Sequence, residues 1–364
     1  MTLKRTIGAF HQKLVDPRQR GLCLGACRDM LGLAAIAFGT AVRLRNRAYD
    51  CGLVRLRRAE VPVISVGNIT AGGTGKTPFA AWLAGLLVER GRRPAILSRG
   101  YGADPRTGLD DENRMLAALA PGIPVVADPD RARGASCAIA EHGADVLVLD
   151  DGFQHRRLAR DLDIVLVDSL RPFGGGHLLP RGLLREPLNG LTRAGAVVLT
   201  RSDQAEPPRL QGIKEAVARY AGQVPIALAV HRPVGLQGSG AGRHGGDPFS
   251  LEDLREGRWA AFCGLGNPEA FRLTLEGLGA HVARFAVFPD HHRYDSEEVA
   301  VLLADARRHG CRGLVTTEKD AIKVEPLLGG ASPVPVLALQ VRIEVRDGRE
   351  SLEQRIRSVL GDGP

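Results

Sequence analysis

Apolar and polar positions alternate along this chain in long blocks, not residue by residue. Short runs rich in Val, Ile, Leu and Ala appear at Val63–Val66, Ala95–Leu97, Val125–Ala127, Val146–Leu149, Ile164–Val167 and Val197–Leu199. Between them lie stretches of helical periodicity, such as Phe79–Glu89, Asn113–Leu119 and Arg131–Glu141. Runs of this kind separated by helices predict strands buried on both faces, hence a mostly parallel sheet of the α/β class. Ligands in such folds sit beyond the carboxyl ends of the strands. The alternation pauses at Pro207–Pro208 and at the Gly/His/Arg-rich stretch 235–248, which reads as a flexible connection or surface excursion. It resumes at Trp259–Cys263, Val282–Val287, Gly313–Thr316 and Val334–Leu339, which predicts a second, smaller α/β domain. The expected divisions are an N-terminal helix (1–45), a core (46–225), a second domain (226–345) and a closing helix (346–364) free to pack on either.

The stretch from Val61 to Ala81 is the most informative: an apolar strand, a glycine-rich turn, then a helix. Gly72, Gly73 and Gly75 let the backbone approach an anion closely, since no Cβ intervenes. Their N–H groups, with those of the helix start, favour negative charge. The predicted nucleotide-phosphate loop is Ala71, Gly72, Gly73, Thr74, Gly75, Lys76, Thr77 and Pro78. Lys76 would reach the β- and γ-phosphates of a nucleotide, and the Thr77 hydroxyl would hold Mg²⁺. Thr70 stands where the strict phosphate-loop pattern has its first glycine.

Other strand ends are polar. Val146–Leu149 runs into Asp150 and Asp151, the place for a Mg²⁺-holding carboxylate in a phosphate-loop fold, and Gln154, His155, Arg156 and Arg157 follow. Ser98–Gly102 ends another strand. Asp110, Asp111 and Glu112 open a helical stretch, where carboxylates often serve only as caps or dipole partners. In the second domain Pro289-Asp290-His291-His292 and Thr316-Thr317-Glu318-Lys319-Asp320 close two strands. Two adjacent histidines on opposite strand faces make poor joint ligands for one metal; one of them suits acid–base work. The Gly264–Pro268 stretch has half a dinucleotide fingerprint, lacking the third glycine and the ribose acid.

Bulk numbers narrow the classes. With 364 residues, 44% hydrophobic and 25% charged, the chain is long enough for two ordinary cores and is not disordered in composition. Aromatics at 4% argue against stacking on single-stranded nucleic acid, and no nucleic-acid partner is expected. Residues 1–60 carry twelve basic and four acidic side chains, which accounts for the whole net charge of +8. Within them the uncharged run Met30–Val42 is too short to span a bilayer. It reads as a core helix, an uncleaved anchor, or a helix lying in the interface, where flanking Lys/Arg would meet anionic headgroups. Six scattered cysteines without a C-x-x-C pair read as free thiols in a reducing compartment.

Taken together, these motifs resemble one family, the tetraacyldisaccharide 4′-kinases of Gram-negative bacteria. The resemblance rests on VPVISVGNITAGGTGKTP (61–78), SRGYG (98–102), DPDRARGA (128–135), LDDGFQHRRLARDLDIVLVD (149–168) and LLPRGLLREP (178–187). It continues through FCGLGNPEAF (262–271), FPDHHRY (288–294) and TTEKDAIK (316–323). It implies ATP- and Mg²⁺-dependent phosphorylation of the 4′-hydroxyl of an acylated glucosamine disaccharide 1-phosphate, in lipid A biosynthesis. It further implies two α/β domains, and an N-terminal helix on the anionic lipid surface at the cytoplasmic face of the inner membrane. By motif, Asp111 corresponds to the family's catalytic aspartate and His291 to its histidine partner, with Lys76 and Asp151 also in the catalytic set. Glu112, Asp150 and Asp151 match acids near Mg²⁺, and Arg131, Gln154, His155 and Arg185 match positions for the sugar and its 1-phosphate. Two further readings stand beside it: a membrane-attached ATPase switch of partition or metal-insertion type, and a soluble small-metabolite kinase. A switch would hydrolyse ATP without lipid.

Overall fold

Helix α1 (Leu22–Asp50) extends well past the apolar run at its centre, because Arg43–Asp50 holds good helix formers and no proline. It stops at Gly52, whose φ of 71° suits only glycine, with the Leu53 N–H closing back onto the Ala48 carbonyl at 2.9 Å. Ala35 and Val42 are buried on one face, while Met30, Leu33, Ile36 and Leu44 stay exposed on another. No helix among the described residues is long and apolar enough to cross a membrane. The structure, a computed structural model, describes residues 22–100, 111–239, 249–328 and 334–361.

The chain forms two units, one holding the described residues up to Val230 and from Glu344 on, the other His231–Ile343. In the first, β1 (Val63–Asn68), α2 (Lys76–Glu89), β2 (Pro94–Ser98), α3 (Asp111–Leu119), β3 (Val125–Ala127) and α4 (Arg131–His142) come in turn. They are followed by β4 (Val146–Asp150), β5 (Leu162–Asp168), β6 (Ala196–Thr200), α5 (Pro207–Ala221) and the start of β7 (Ile226–Ser239). The strand order is β3-β2-β4-β1-β5-β6-β7, with parallel pairing from β3 through to β7. Every residue of β1, β4, β5 and β6 is buried, as expected of strands covered by helices on both faces. This order puts β1 between β4 and β5, so the loop after β1 lies beside those that follow its neighbours. Nine of these residues (Val63, Ala95, Leu97, Ala135, Ala138, Ala144, Leu147, Leu149 and Leu158) form one apolar cluster.

The second unit contains β8 (Arg258–Cys263), α6 (Pro268–Gly277), β9 (His281–Val287), α7 (Ser296–Arg308), β10 (Gly313–Thr317) and α8 (Glu318–Val324). Strand β11 (Val336–Val345) leads out of it into α9 (Arg349–Leu360). Neighbours run β7-β11-β10-β8-β9, parallel from β11 to β9. Trp259 and Phe262 are fully buried on its inner faces.

Pro207 and Pro208, where the alternation pauses, open helix α5, since the first turn of a helix offers an N–H no acceptor and proline has none to satisfy. One feature departs from the pattern reading. The start of the glycine-rich stretch continues β7 as far as Ser239, because Leu236 packs with Leu254 and Trp259; residues 240–248 lie outside the described set. The closing helix α9 belongs to the first unit, where Arg90 pairs with Glu353 and Arg92 donates to the Leu360 carbonyl.

Candidate active site

The turn after β1 is shaped by its glycines and held from behind. Gly72 (φ 113°) and Gly75 (φ 88°) occupy backbone conformations that a side chain would strain, and Gly75 caps α2. The Asn68 amide donates to the Thr74 hydroxyl at 2.9 Å, and the Thr200 hydroxyl to the Thr74 carbonyl at 2.9 Å. Arg201 donates to the Gly73 carbonyl at 3.0 Å while its other arm pairs with Asp168 at 2.8 Å. Because a trans peptide points its N–H opposite to its C=O, tying the Thr74 carbonyl inward turns the Gly75 N–H outward. Lys76 and Thr77 begin α2, where the helix offers their N–H groups no acceptor. Pro78 sits in the same first turn and has no N–H to satisfy.

The acids at the end of β4 face this loop. Thr77 donates to Asp150 Oδ2 at 3.3 Å. Burial, reinforced by the charges of Glu112 and Asp151, pushes Asp150 up to about 7 against the pull of Lys76. Asp151 behaves oppositely: burial opposes its ionisation, but Lys76 and Arg185 outweigh it and hold the carboxyl below its usual range. Arg185 Nη1 lies 2.9 Å from both Asp151 oxygens, and Lys76 Nζ is 3.5 Å from Oδ1. Asp151 carries this pair with φ at 50°, a strained backbone for a non-glycine residue. Gly152 follows because a Cβ there would come within 2.6 Å of the Ser65 hydroxyl.

An oxygen-only set of Thr77, Asp150 and Glu112 suits a hard cation. Mg²⁺ is held by one or two carboxylates plus substrate phosphates and water, so it does not need the cluster of three acidic or His/Cys groups that is absent among the described residues. The like charges that add to burial in raising Asp150 are what a bound cation would offset.

Of the positions matched to the acceptor, Gln154 and Arg185 join this cluster directly, with Arg185 Nη1 3.5 Å from Gln154 Oε1. Arg131 is buried at the start of α4 and donates to the Asp128 carbonyl at 2.7 Å. Desolvation, opposed chiefly by Asp150, lowers it to about 10, so it stays cationic at neutral pH. Burial and the neighbouring Arg131, Arg160 and Arg99 push His155 down to about 4, so its ring is neutral. Glu112 is near enough to Asp150 to raise it. Asp111 is the first residue of α3, and the residues between Gly100 and Asp111 lie outside the described set.

His291 belongs to the second unit, on the turn after β9. Its φ is 59°, its side chain is exposed, and its N–H donates to Asp290 Oδ1 at 3.0 Å. Lys319 pairs with the same Asp290 oxygen at 2.9 Å, and holds the carboxyl low despite its burial. His292 is instead 2.7 Å from Glu298 and stacked on Phe288. Residues that the sequence left without a role, Asn68, Asp168, Thr200 and Arg201, prove to back the phosphate loop. Their signal was faint: single polar residues closing apolar runs.

Comparison with known proteins decides the family. The family model described as LpxK: Tetraacyldisaccharide-1-P 4'-kinase matches residues 28–361. The chain belongs to this family. A tetraacyldisaccharide 4'-kinase of Anaeromyxobacter sp. (strain K) is 44% identical over 363 residues, covering 95% of each chain. One from Syntrophus aciditrophicus (strain SB) is 41% identical over 358 residues, covering 92% of this chain and 93% of that one. Among solved structures, the "apo" form LpxK from Aquifex aeolicus in complex with ATP is similar, with a TM-score of 0.67 and 32% identity. That match covers 92% of this chain and 99% of the other.

Proposed function

We infer that the protein transfers the γ-phosphoryl group of ATP to the 4′-hydroxyl of an acylated glucosamine disaccharide 1-phosphate in lipid A biosynthesis. The observation that carries this is the single cluster of Lys76, Thr77, Asp150, Asp151 and Arg185 around a phosphate loop, in a chain of the tetraacyldisaccharide 4'-kinase family. Phosphoryl transfer needs positioning and charge stabilisation more than covalent chemistry. Lys76 and the Gly75 N–H stabilise the charge on the transferring group, and Thr77, Asp150 and Glu112 would hold Mg²⁺, which would supply positive charge against the phosphates. Asp111 takes the proton from the attacking hydroxyl and orients it, and His291 is a second candidate for acid–base work. Arg131 and Arg185 supply positive charge for the acceptor's 1-phosphate, while Gln154 and the neutral His155 meet its sugar. The ATPase-switch reading is set aside because the chain belongs to a kinase family.

A lipid acceptor also asks for a route to the membrane surface. Met30 and Leu33 (each 72% exposed) and Ile36 and Leu44 (each 65%) line the outer side of a helix bearing Arg43, Arg45 and Arg47. Such a helix lies in an interface without crossing it, here the cytoplasmic face of the inner membrane. Beside it a groove of about 870 Å³, lined by Leu33, Ile36, Leu178, Leu184 and Leu188, with Arg181 at its polar side, suits acyl chains. The test is mass-spectrometric detection of one added phosphate on detergent-dispersed lipid disaccharide, with flotation on anionic vesicles in parallel. Hydrolysis of ATP that ignores the lipid would overturn the kinase reading, and failure to float would return α1 to a packing role.

A further inference from the structure

Glu186 is completely buried and lies next to Arg185 in a segment that pairs with the entry to the phosphate loop. A buried carboxylate needs close donors, and this one has three. Arg193 Nη2 donates at 2.7 Å and the Asn46 amide at 3.2 Å, both to Oε2; the Gln154 amide donates to Oε1 at 2.8 Å. The same Gln154 nitrogen donates to the Asn68 carbonyl at 2.7 Å. A flipped amide would set its oxygen against a carboxylate and a carbonyl together. Gln154 therefore keeps its oxygen toward Arg185, whose Nη1 grips Asp151.

At the far end of this chain stands helix α1. Asn46 reaches Glu186 from its last turns, and Arg156 takes hold of the same turns. Arg156 donates to the Asn46 carbonyl at 3.0 Å and to Asp50 at 2.7 Å, with its guanidinium 5.1 Å from the centre of the Tyr49 ring. Arg156 and Gln154 share the tight turn that follows Asp150 and Asp151, closed by the Arg156 N–H to the Gln154 carbonyl at 3.1 Å. Two routes thus run from the inner end of α1 to the acids of the site.

We propose that Glu186 is a positioning residue that fixes the Gln154 amide and, through it, the Arg185–Asp151 pair, and that Asn46 makes the last turns of α1 part of this arrangement. The helix that carries the exposed apolar face is then also a support of the reacting groups. A shift of α1 that breaks the Asn46 contact is felt at Asp151. The proposal rests on the kinase reading for its assay and extends it to residues outside the phosphate loop.

Removing Glu186 would strand Arg193 in the interior and risks unfolding the chain, so Asn46 is the sharper probe. Asn46→Asp keeps the shape of the side chain but puts a carboxylate against Glu186, whereas Asn46→Ala only deletes the donor. The experiment measures kcat, the ATP KM and Tm of the full chain with lipid disaccharide 1-phosphate in mixed micelles. Expected are a kcat loss of about tenfold in Asn46→Ala and about 100-fold in Asn46→Asp, with the ATP KM within about twofold of wild type. The double variant Asn46→Ala/Gln154→Ala should be no slower than Gln154→Ala alone, because both act through one amide. Multiplied losses, or an Asn46→Asp enzyme with wild-type kcat, would overturn the proposal while leaving the kinase reading intact. Absence of turnover in the wild type would instead remove the kinase reading, and the proposal with it.

Discussion

Both units place acids at or just past the carboxyl ends of parallel strands, Asp320 doing so from the first turn of α8, and the two sets are treated differently. In the first, Asp150 and Asp151 are crowded together, one raised to about 7 and the other held low by Lys76 and Arg185. In the second, Asp320 accepts from the Gly264 N–H at 2.9 Å, from the Thr317 hydroxyl at 2.7 Å and from the Tyr294 hydroxyl at 3.1 Å. Those donors come from the end of β8, the end of β10 and the turn that bears His291, so Asp320 staples three segments. The contrast separates two uses of a carboxylate near the end of a strand. One whose lone pairs are consumed by its own fold is a structural bolt. One left beside like charges and flexible cations is poised for a ligand that changes the balance.

The largest effect that sharpens this contrast is expected from Lys76→Ala, which should lower kcat by about 1,000-fold with Tm unchanged. Near-normal turnover in the purified variant would erase the distinction on the first unit's side. Next come Asp111→Ala and His291→Ala, each expected to cost about 100-fold in kcat with little change in ATP affinity. Steady-state kinetics with the lipid acceptor measure both losses. Asp320→Ala should act on stability instead, at about 2 kcal/mol, because the Gly264 N–H and the Tyr294 hydroxyl lose their acceptor. ATP affinity, read by titration, should not move; a parallel loss of affinity would break the comparison.

The smallest expected effect is pH-dependent and belongs to His155. Its folded value of about 4 lies below the ordinary 6.5, so the unfolded chain takes up the proton first as pH falls. Its contribution to stability is complete above pH 6.5 and is lost as pH drops toward 4. His155→Asn should flatten the fall in unfolding free energy between pH 6.5 and 5, read by urea titration, by about 1 kcal/mol, discounted for partial exposure. An unchanged acid limb would place His155 among ordinary solvated histidines.

Much of this was legible in the residues. Strands buried on both faces write themselves as apolar runs, so β1, β2, β4, β5 and β6 could be read directly. Gly72, Gly73 and Gly75 announced a turn open to an anion, with Lys76-Thr77 behind them, and the structure adds positive φ at Gly72 and Gly75. Less visible was the continuation of β7 through a glycine-rich stretch. There a single buried Leu236 outweighs local turn propensity.

Local sequence determined the elements, because hydrophobic periodicity and glycine conformation act within a few residues of the chain. It also determined the family, through motifs spread from residue 61 to residue 323. Only the tertiary structure decided which polar residues meet. Glu186 lies 140 positions from Asn46 and 32 from Gln154, and Arg201 lies 128 from Gly73. No local rule links such pairs. Once the strand order brings them into a dry interior, the cost of an unpaired charge or amide there leaves each of them one arrangement.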